Sequence, residues 1–501
     1  MDGWRMADFG VLNAPTIIPS WVFYLLVVLA SIALVDRVVR PLTAWFVRRR
    51  AEHAFERLNA ELRLKLQRFK MARRRILIDR LLNDPEVVLA IEEHARDQSI
   101  PVETAARQAR TYAAEIVPSF STYAYFRIGT RLARIISRSL YRVRLGTVDP
   151  RALDGVPPNA SVIFVINHRS NIDYILVTYV AATASALSYA VGEWAQVFGL
   201  RELIRSMGAY FIRRNSKDKL YRRVLARYVD MATKAGVVQA VFPEGGLSRD
   251  GLLKPAKLGL LTYMVSDFDP HGNRDVVFVP VGLNYDRVLE DRILLAAAAT
   301  PEGKAPRFAF SFATFLRYQL RSLWLRMTGR WHRYGYACVS FGRPVSLRDY
   351  LIARGLDLRA LPPDARRSAV EVLGTSLMQE VGRVVPALPV PLAATALLDA
   401  NRPLTSFELK GRIQYLIDDL EARGSYVHIP RGDRDYAVEA GLRVLRERKL
   451  VTFADGTYAI VPAEEHVLRY YANSLAHLLA SNRAEPQAAP DTAPSRALMG
   501  S

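Results

Sequence analysis

Short apolar runs alternate with helix-like runs through the middle of this chain, and this alternation constrains its fold most strongly. The strand-like runs are Ser161–Ile166, Ala186–Val191, Ala209–Ile212, Val238–Phe242, Val276–Val281 and Tyr336–Phe341. The helix-like runs between them are Ile172–Ala184, Ala195–Met207, Lys217–Ala235 and Lys257–Ser266. Such alternation predicts an α/β domain, in which helices cover both faces of a mixed sheet.

The amino-terminal residues predict a membrane anchor. No charged residue occurs from Phe9 to Val35, and the stretch Thr16–Val35 has the about 20 residues that span a bilayer. Arginines follow this stretch, so the positive-inside rule places the rest of the chain in the cytoplasm. A cleaved signal peptide has its basic residues before the apolar run. We therefore expect a single retained span in the inner (cytoplasmic) membrane.

Further regions flank the α/β domain. The helix-like stretch Phe55–Leu82 either rests on an anionic leaflet or packs against the main domain, and Ser311–Thr328 leaves the same two possibilities open. A basic, aromatic-rich helix is expected from about Val117 to Arg144. The predicted divisions are a membrane anchor over 1–45, a helical region over 46–145, a catalytic domain over 146–385, a carboxyl-terminal α+β unit over 386–480 and a disordered tail over 481–501.

The carboxyl-terminal unit begins after a break marked by Pro386, Pro389 and Pro391. Helix-like runs over 407–423 and 437–446 precede a hairpin, whose turn is predicted at Asp455–Gly456 because Asp-Gly favours a tight two-residue turn. This order of helix, helix and hairpin resembles a winged-helix arrangement. We interpret the unit as structural or regulatory.

Charge and cysteine content narrow the possible partners. The formal net charge is +20, which favours anionic partners such as phospholipid headgroups, phosphorylated substrates, acidic carrier proteins or nucleic acid. One cysteine, Cys338, excludes an intrachain disulfide and a cysteine-based zinc site. No metal-ligand motif and no phosphate-binding glycine loop occurs in the sequence. We therefore predict no metal and no cofactor.

His168 and Asp173 follow the first strand-like run at a spacing of five residues. A carboxylate beside an imidazole fixes the ring tautomer and stabilises the imidazolium, so that the other nitrogen can take a proton from a hydroxyl. A histidine that merely caps a helix is the structural alternative. At the turn from strand to helix, however, the side chain lies at the sheet edge where α/β domains collect catalytic groups.

Three more polar segments follow the His168 segment. GAYFIRR ends on Arg213 and Arg214, whose guanidinium groups suit bidentate phosphate binding. FPEGGLSRDG follows another strand-like run, and its paired glycines permit close backbone approach to a ligand. VFVPVGLNYDR carries Pro280 inside a strand-like run.

These four segments, in this order, resemble the motifs of the glycerolipid acyltransferase family, most closely its glycerol-3-phosphate 1-O-acyltransferase branch. The resemblance covers roughly residues 110–480 and implies that family's α/β fold. It implies that His168 acts as general base, with Asp173 as its partner and without a covalent acyl-enzyme. The implied substrate-binding residues are Arg169, Ser170, Arg213, Arg214, Glu244, Gly245, Gly246, Ser248, Arg249 and Pro280. Two positions depart from the family pattern, Asn171 and Leu247.

The resemblance also implies a reaction. A long-chain acyl group would pass from acyl-CoA or acyl carrier protein to the sn-1 hydroxyl of glycerol 3-phosphate, giving lysophosphatidate at an anionic phospholipid membrane. Arg213 stands where lysophosphatidate acyltransferases tend to have Asp, which favours glycerol 3-phosphate or dihydroxyacetone phosphate. Acylation of dihydroxyacetone phosphate or lysophosphatidate is the near alternative. A non-enzymatic membrane-surface or nucleic-acid-binding protein is the alternative of another class, although we expect no nucleic acid.

Overall fold

The structure is a computed structural model, and it describes residues 67–147, 155–181, 186–192, 200–213, 216–299 and 334–480. These residues belong to a compact unit that spans Arg63–Ser501, while a separate unit, Met1–Leu62, lies outside the described residues. The predicted membrane segment Thr16–Val35 therefore lies outside them, as do the predicted helix Ser311–Thr328 and the predicted tail. Within the described ranges, no helix is both long and apolar enough to cross a bilayer. The predicted domain boundaries stay predictions.

One mixed sheet organises the unit. Its strands are β1 (Arg142–Leu145), β2 (Ser161–Ile166), β3 (Ser188–Gly192), β4 (Tyr210–Ile212), β5 (Gln239–Val241), β6 (Val276–Tyr285), β7 (Tyr336–Phe341) and β8 (Val345–Ser346). The order across the sheet is β1-β7-β6-β2-β5-β3-β4, and β8 pairs with β6. Strands β2 to β6 are mutually parallel, whereas β7, β8 and β1 run the other way. The predicted mixed α/β sheet is therefore confirmed.

Helices cover both faces of this sheet. Before it come α1 (Arg68–Met71), α2 (Arg74–Leu82), α3 (Pro85–Gln98), α4 (Val102–Ile116), a π-helical turn (Ala124–Gly129) and α5 (Thr130–Leu140). Within it come α6 (Asp173–Ala181), α7 (Leu200–Ser206), α8 (Lys219–Lys234), α9 (Leu258–Val265), α10 (Asp291–Ala298), α11 (Leu347–Ile352) and α12 (Pro363–Arg383). Alternate residues of β2 point into opposite cores: Phe164 packs with α6 and the carboxyl-terminal helices, and Val165 packs with α4, α8 and α12.

The predicted basic helix that precedes the sheet was too long, and the strand that follows it was missed. The predicted basic helix over 117–144 is helical only from Thr122 to Leu140, and Arg142–Leu145 forms β1 instead. Pairing with β7 decides this, because β1 continues the ladder from Arg142 opposite Tyr336 to Leu145 opposite Val339. The helical spacing of basic residues could not show that the chain meets a sheet edge at this point.

The carboxyl-terminal unit begins on the edge of the same core. Its elements are α13 (Pro389–Ala400), β9 (Leu404–Thr405), α14 (Ser406–Ala422), α15 (Arg434–Glu447), β10 (Val451–Ala454), β11 (Thr457–Ile460), α16 (Glu465–Ala472) and α17 (Ala476–Ala480). The predicted helices and hairpin are confirmed, and Asp455 and Gly456 both have positive φ, as a tight primed turn requires. Of the three prolines that mark the predicted break, Pro386 precedes α13, whereas Pro389 and Pro391 lie in its first turn.

A buried carboxylate joins α13 to the main sheet. Asp286 follows β6, and its two oxygens accept from Tyr336 N of β7 at 2.8 Å and from Val390 N at 3.0 Å. Val390 lies in the first turn of α13, where backbone N–H groups need acceptors. Burial raises the pKa of Asp286 to about 7. The sheet and the carboxyl-terminal helices therefore meet through a shared polar contact.

Candidate active site

The candidate site lies at the carboxyl edge of the parallel strands. Strand β2 ends at Ile166 and β5 ends at Val241, and Val165 is directly opposite Val241. The segments that follow these strands are therefore neighbours. Asn167 extends the ladder beyond β2, because its side-chain amide donates to Leu283 O at 3.0 Å and accepts from Leu283 N at 2.7 Å. This exchange fixes the direction in which the chain leaves the strand.

His168 and Asp173 form a buried pair at this edge. His168 Nδ1 lies 2.9 Å from Asp173 Oδ2, and the two side chains are 1% and 0% exposed. The same carboxylate oxygen accepts from the backbone N–H groups of Arg169 at 2.7 Å and Ser170 at 3.0 Å. Its other oxygen accepts from the Tyr285 hydroxyl at 2.6 Å. Four donors thus hold the carboxylate in one orientation, at the first turn of α6 where negative charge is favoured.

The second ring nitrogen of His168 has no hydrogen-bond partner among the described residues. The imidazole stacks on Phe242 with ring centroids 4.2 Å apart, and Tyr174 meets it edge-on at 5.4 Å. An ionised carboxylate can accept hydrogen bonds but cannot donate them. Nδ1 is therefore the donor in the contact with Asp173 and carries the proton. Nε2 then carries the lone pair, and this buried nitrogen has no acceptor or donor beside it in that part of the chain. This is the arrangement of a general base held ready for a substrate hydroxyl.

Glu244 braces the backbone of His168. Its Oε1 accepts from His168 N at 2.8 Å, and its Oε2 accepts from Lys254 N at 3.3 Å. Ser248 N donates to His168 O at 2.9 Å, so FPEGGLSRDG holds the backbone of His168 on both sides. Burial raises the pKa of Glu244 to about 7. In this structure Glu244 serves the loop, and its predicted contact with a glycerol hydroxyl stays a prediction.

The remaining residues of FPEGGLSRDG either stabilise the loop or are accessible to a ligand. Gly245 has a φ of +67°, which suits its glycine, and Gly246 is half-buried. The Ser248 hydroxyl lies 2.8 Å from Leu252 O and donates within its own loop. Arg249 is exposed and has no hydrogen bond or ion pair within the described part of the chain. Arg249 is thus the group in this segment that is free to bind a phosphate.

The HRS segment is held by its surroundings. Arg169 is 2% exposed, and its guanidinium donates to Gly251 O at 2.6 Å and reaches Ser474 O at 3.5 Å. The Ser170 hydroxyl donates to Glu290 Oε2 at 2.7 Å. Both side chains therefore hold the loop in place beside the His168–Asp173 pair. Direct contact of either one with substrate stays a prediction.

Arg213 follows β4 at the same edge of the sheet. The strand register places it level with His168, three strand spacings or roughly 14 Å away across the sheet. Its guanidinium donates to both carboxylate oxygens of Glu115, the shortest contact being 2.6 Å, and lies 5.1 Å from the Tyr112 ring centre. The side chain is 40% exposed, so it remains accessible to an anion. Arg214 lies outside the described residues.

Pro280 lies inside β6, where it is buried opposite Val165. A proline in a central strand removes a ladder donor. Here the loss is tolerated because β6 changes partner at this point: β8 pairs up to Phe278, and β7 pairs from Val281 onward. Pro280 O still accepts from Gly342 N at 2.8 Å. Its predicted role in an acyl channel stays a prediction.

Two residues at the site were not predicted from the sequence. Tyr285 ends β6 and contacts Asp173, and Glu290 accepts from the Ser170 hydroxyl and from Asn171 N. Tyr285 lies in the quoted segment VFVPVGLNYDR, which was the available signal for it. Glu290 lies outside every quoted segment, and nothing in the local sequence marks it. Within the described ranges, no three His, Cys, Asp or Glu side chains cluster as a metal site.

Two protein-family models match the chain. Residues 148–284 match the family described as Acyltransferase, and residues 324–482 match the family described as Glycerol-3-phosphate acyltransferase C-terminal region. The first match contains the buried pair and the segments that brace it. The resemblance to glycerolipid acyltransferases is thereby confirmed. Residues 148–284 are called the acyltransferase region below.

Curated relatives agree with these matches. A protein named glycerol-3-phosphate acyltransferase from Pseudomonas putida (strain W619) is 27% identical over 82% of this chain and 49% of its own length. One of the same name from Aeromonas hydrophila is 28% identical over 82% of this chain and 51% of its own length. The chain spans about half the length of the curated relatives it matches.

A solved structure, the 1-acyl-sn-glycerophosphate acyltransferase of Thermotoga maritima, is 17% identical, and the match covers 59% of this chain and 94% of that chain. The TM-score of this match is 0.29.

Proposed function

We propose that this protein transfers a long-chain acyl group from a thioester to the sn-1 hydroxyl of glycerol 3-phosphate. The observation that carries the proposal is the buried His168–Asp173 pair inside the acyltransferase region, with Nε2 lacking a partner among the described residues. The match of residues 324–482 to the glycerol-3-phosphate acyltransferase carboxyl-terminal region supports this acceptor. So do the names of the curated relatives.

The geometry supports direct transfer with His168 as base. Nε2 takes the proton of the acceptor hydroxyl while that oxygen attacks the thioester carbonyl. The tetrahedral intermediate then expels the thiolate, which receives the proton from the imidazolium, so an ester forms as the thioester bond breaks. Asp173 holds the ring and stabilises the imidazolium. The binding of both substrates at one edge supplies the proximity on which such a reaction depends.

Backbone donors for the developing oxyanion do not come from the catalytic loop. His168 N donates to Glu244, Arg169 N and Ser170 N donate to Asp173, and Asn171 N donates to Glu290. These N–H groups are already used. The loop is therefore built to hold the base, and oxyanion stabilisation falls to groups outside 168–171.

Arg213 and Arg249 are the proposed phosphate ligands. Both are accessible, and a guanidinium offers bidentate donors that suit a phosphate. Phosphate binding by Arg213 would compete with its present contact to Glu115. Dihydroxyacetone phosphate presents the same phosphate and remains a candidate acceptor.

The membrane and donor assignments belong to this proposal too. The apolar segment Thr16–Val35 supports a single membrane span with the catalytic region on the cytoplasmic side. The net charge of +20 supports contact with an anionic phospholipid membrane. The donor is a long-chain acyl thioester, of coenzyme A or of acyl carrier protein, and no further cofactor is proposed.

The test is acyl transfer by the full chain purified in detergent. Labelled palmitoyl-CoA and glycerol 3-phosphate are supplied to the wild type, to His168→Ala and to His428→Ala. His428 is also buried, and burial lowers its pKa to about 4, so its loss controls for removal of a buried imidazole. We expect labelled lysophosphatidate from the wild type and His428→Ala but not from His168→Ala. Equal product from all three would refute the role of His168. No product with any donor or with dihydroxyacetone phosphate would refute the reaction.

A further inference from the structure

An exposed apolar ridge runs along the helix that precedes the sheet. This helix, the π-helical turn Ala124–Gly129 continued by α5, is called the ridge helix below. Ile128, Leu132 and Ile135 are 45%, 41% and 65% exposed, and their spacing of four and three residues places them on one side of a helix. Tyr123, in the helical turn that leads into it, is 68% exposed. Large apolar side chains in a contiguous exposed row indicate an interaction site.

Four arginines form a second row beside the apolar one. Three of them directly precede the three apolar residues in sequence, and the fourth follows one helical turn later. Arg127, Arg131, Arg134 and Arg138 are all exposed. Arg134 lies over the Tyr179 ring at 5.8 Å, and within the described part of the chain the other three have no ion pair or hydrogen bond. No Asp or Glu occurs from 117 to 147. The exposed side of the ridge helix is therefore apolar and strongly basic.

The opposite side of the ridge helix is packed into the domain. Ala133, Ser137 and Leu140 are buried, and Leu140 belongs to the core beside α6. The helix is thus packed with its apolar and basic rows outward. A helix with this division of side chains suits the interfacial zone of a bilayer, where apolar groups enter the acyl boundary and arginines meet headgroup phosphates.

The ridge helix ends beside the catalytic pair. Tyr141 follows α5 directly, and its ring centroid is 5.2 Å from that of Tyr285. Tyr285 donates to Asp173, which holds His168. A surface bound along the ridge helix would therefore lie next to the edge of the sheet that carries the base.

We infer that the ridge helix seats the domain on an anionic phospholipid surface through Ile128, Leu132, Ile135 and the four arginines. Charge complementarity decides the occupant, because a row of arginines without an acidic neighbour in the segment matches a leaflet rich in phosphate. The apolar row stands out from the helix as a ridge, which can sink among acyl chains. An acidic carrier protein has negative charge as well, and binding of such a protein in place of a membrane is the competing outcome of the test. The inference rests on the membrane contact of the proposed function but not on the proposed reaction, and it adds a second membrane contact to the predicted anchor.

Membrane immersion of a single labelled site tests this directly. The one native cysteine, Cys338, is fully buried, and burial raises the pKa of its thiol to about 12, so a spin label reacts selectively at an added cysteine. Ile135→Cys places the label on the ridge. Val372→Cys, at 57% exposure on α12, is the matched control. The full chain is incorporated into vesicles of phosphatidylcholine, with or without phosphatidylglycerol.

We expect the label at position 135 to become accessible to oxygen and shielded from a water-soluble nickel chelate when phosphatidylglycerol is present. The label at 372 should stay in water in both lipids. If both labels stay in water in anionic vesicles, the inference is wrong. It is also wrong if immersion at 135 is the same without anionic lipid, or if acidic acyl carrier protein shields the label and vesicles do not.

A charge-reversal pair separates attraction from simple apolar insertion. Arg131→Glu with Arg138→Glu, added to Ile135→Cys, should reduce the docked fraction strongly, since each arginine near an anionic surface contributes roughly a fivefold factor in binding. Arg343→Glu with Arg367→Glu changes net charge equally at exposed positions elsewhere and should leave immersion unchanged. Equal loss in both pairs would show a net-charge effect and overturn the ridge assignment. Acyl transfer in detergent is measured in parallel, so failure of the reaction and failure of docking are told apart.

Discussion

Tyr285→Phe removes one hydroxyl that supports the His168–Asp173 pair. That hydroxyl donates to Asp173 at 2.6 Å, and both side chains are fully buried. Among the described residues, no other hydrogen bond reaches this carboxylate oxygen, while the second oxygen keeps its three donors. Phenylalanine fills nearly the same volume, so the substitution changes the hydrogen bond without creating a cavity.

A hydrogen bond to a charged group contributes about 1.5–3 kcal/mol to stability. Tyr285→Phe should therefore lower the free energy of unfolding by that amount and shift the guanidinium midpoint downward. The same loss lets the carboxylate turn, so the His168 ring is held less firmly. We expect kcat to fall by about tenfold to a hundredfold, since small misplacements at a reacting centre have effects of that size.

Tyr210→Phe is the matched control. Tyr210 is 1% exposed, but its hydroxyl has no hydrogen-bond partner in the described part of the chain. Removing an unsatisfied buried hydroxyl should leave the unfolding midpoint unchanged or raise it. The measurement is guanidinium unfolding of the full chain in detergent, with acyl transfer assayed on the same preparations. Equal midpoint shifts of the same sign in the two variants would refute the reasoning.

Three further outcomes follow from the structure. Gly251→Ala should destabilise the protein far more than Gly355→Ala, as measured by the unfolding midpoints of the two variants. Both glycines have positive φ, but a Cβ at 251 would lie 2.0 Å from Tyr470 O, whereas a Cβ at 355 would meet open space. Burial raises the pKa of Glu244 to about 7, so the stability that its protonated form provides is present below about pH 4.5 and is lost as the pH rises to about 7. Glu244→Gln should remove this pH dependence. A plot of unfolding midpoint against pH that is the same for the variant and the wild type would contradict this. Arg213→Ala should raise the KM for glycerol 3-phosphate about tenfold or more with the KM for the acyl donor unchanged, and steady-state kinetics would contradict this if both constants moved together.

Local patterns predicted most of the sheet. Ser161–Ile166 and Tyr336–Phe341 were predicted with the bounds that the structure shows, because each is a continuous apolar run bounded by turn residues. Strand β1 was missed because its basic residues continue a helical spacing, and only pairing with β7 makes it a strand. Strand β6 extends to Tyr285, four residues beyond the predicted end, because pairing with β7 continues past the apolar run.

Only those contacts of the candidate site that join residues close in sequence could be predicted. His168 and Asp173 are five residues apart, so their contact could be inferred from a strand-to-helix turn. Glu290 could not be found, since it is distant in sequence and its partner Ser170 gives no sign of an acceptor. The burial of Arg169 was also beyond local sequence, because its acceptors belong to two remote segments. Long-range partners of polar groups are decided by the assembled fold.

The contacts around Arg169 make the acyltransferase region and the carboxyl-terminal unit poor candidates for exchange as modules. Arg169 donates to Gly251 O and reaches Ser474 O, and Asn473 Nδ2 donates to Asp250 O at 2.8 Å. The two regions match separate family models, yet the contacts of Arg169 with Ser474 and of Asn473 with Asp250 join them at the residue next to His168. These contacts are called the seam. A chimera joined near residue 386 would combine the loop at Arg169 from one parent with residues 473–474 from another. Recombination between relatives should succeed only when both sides of the seam come from one parent.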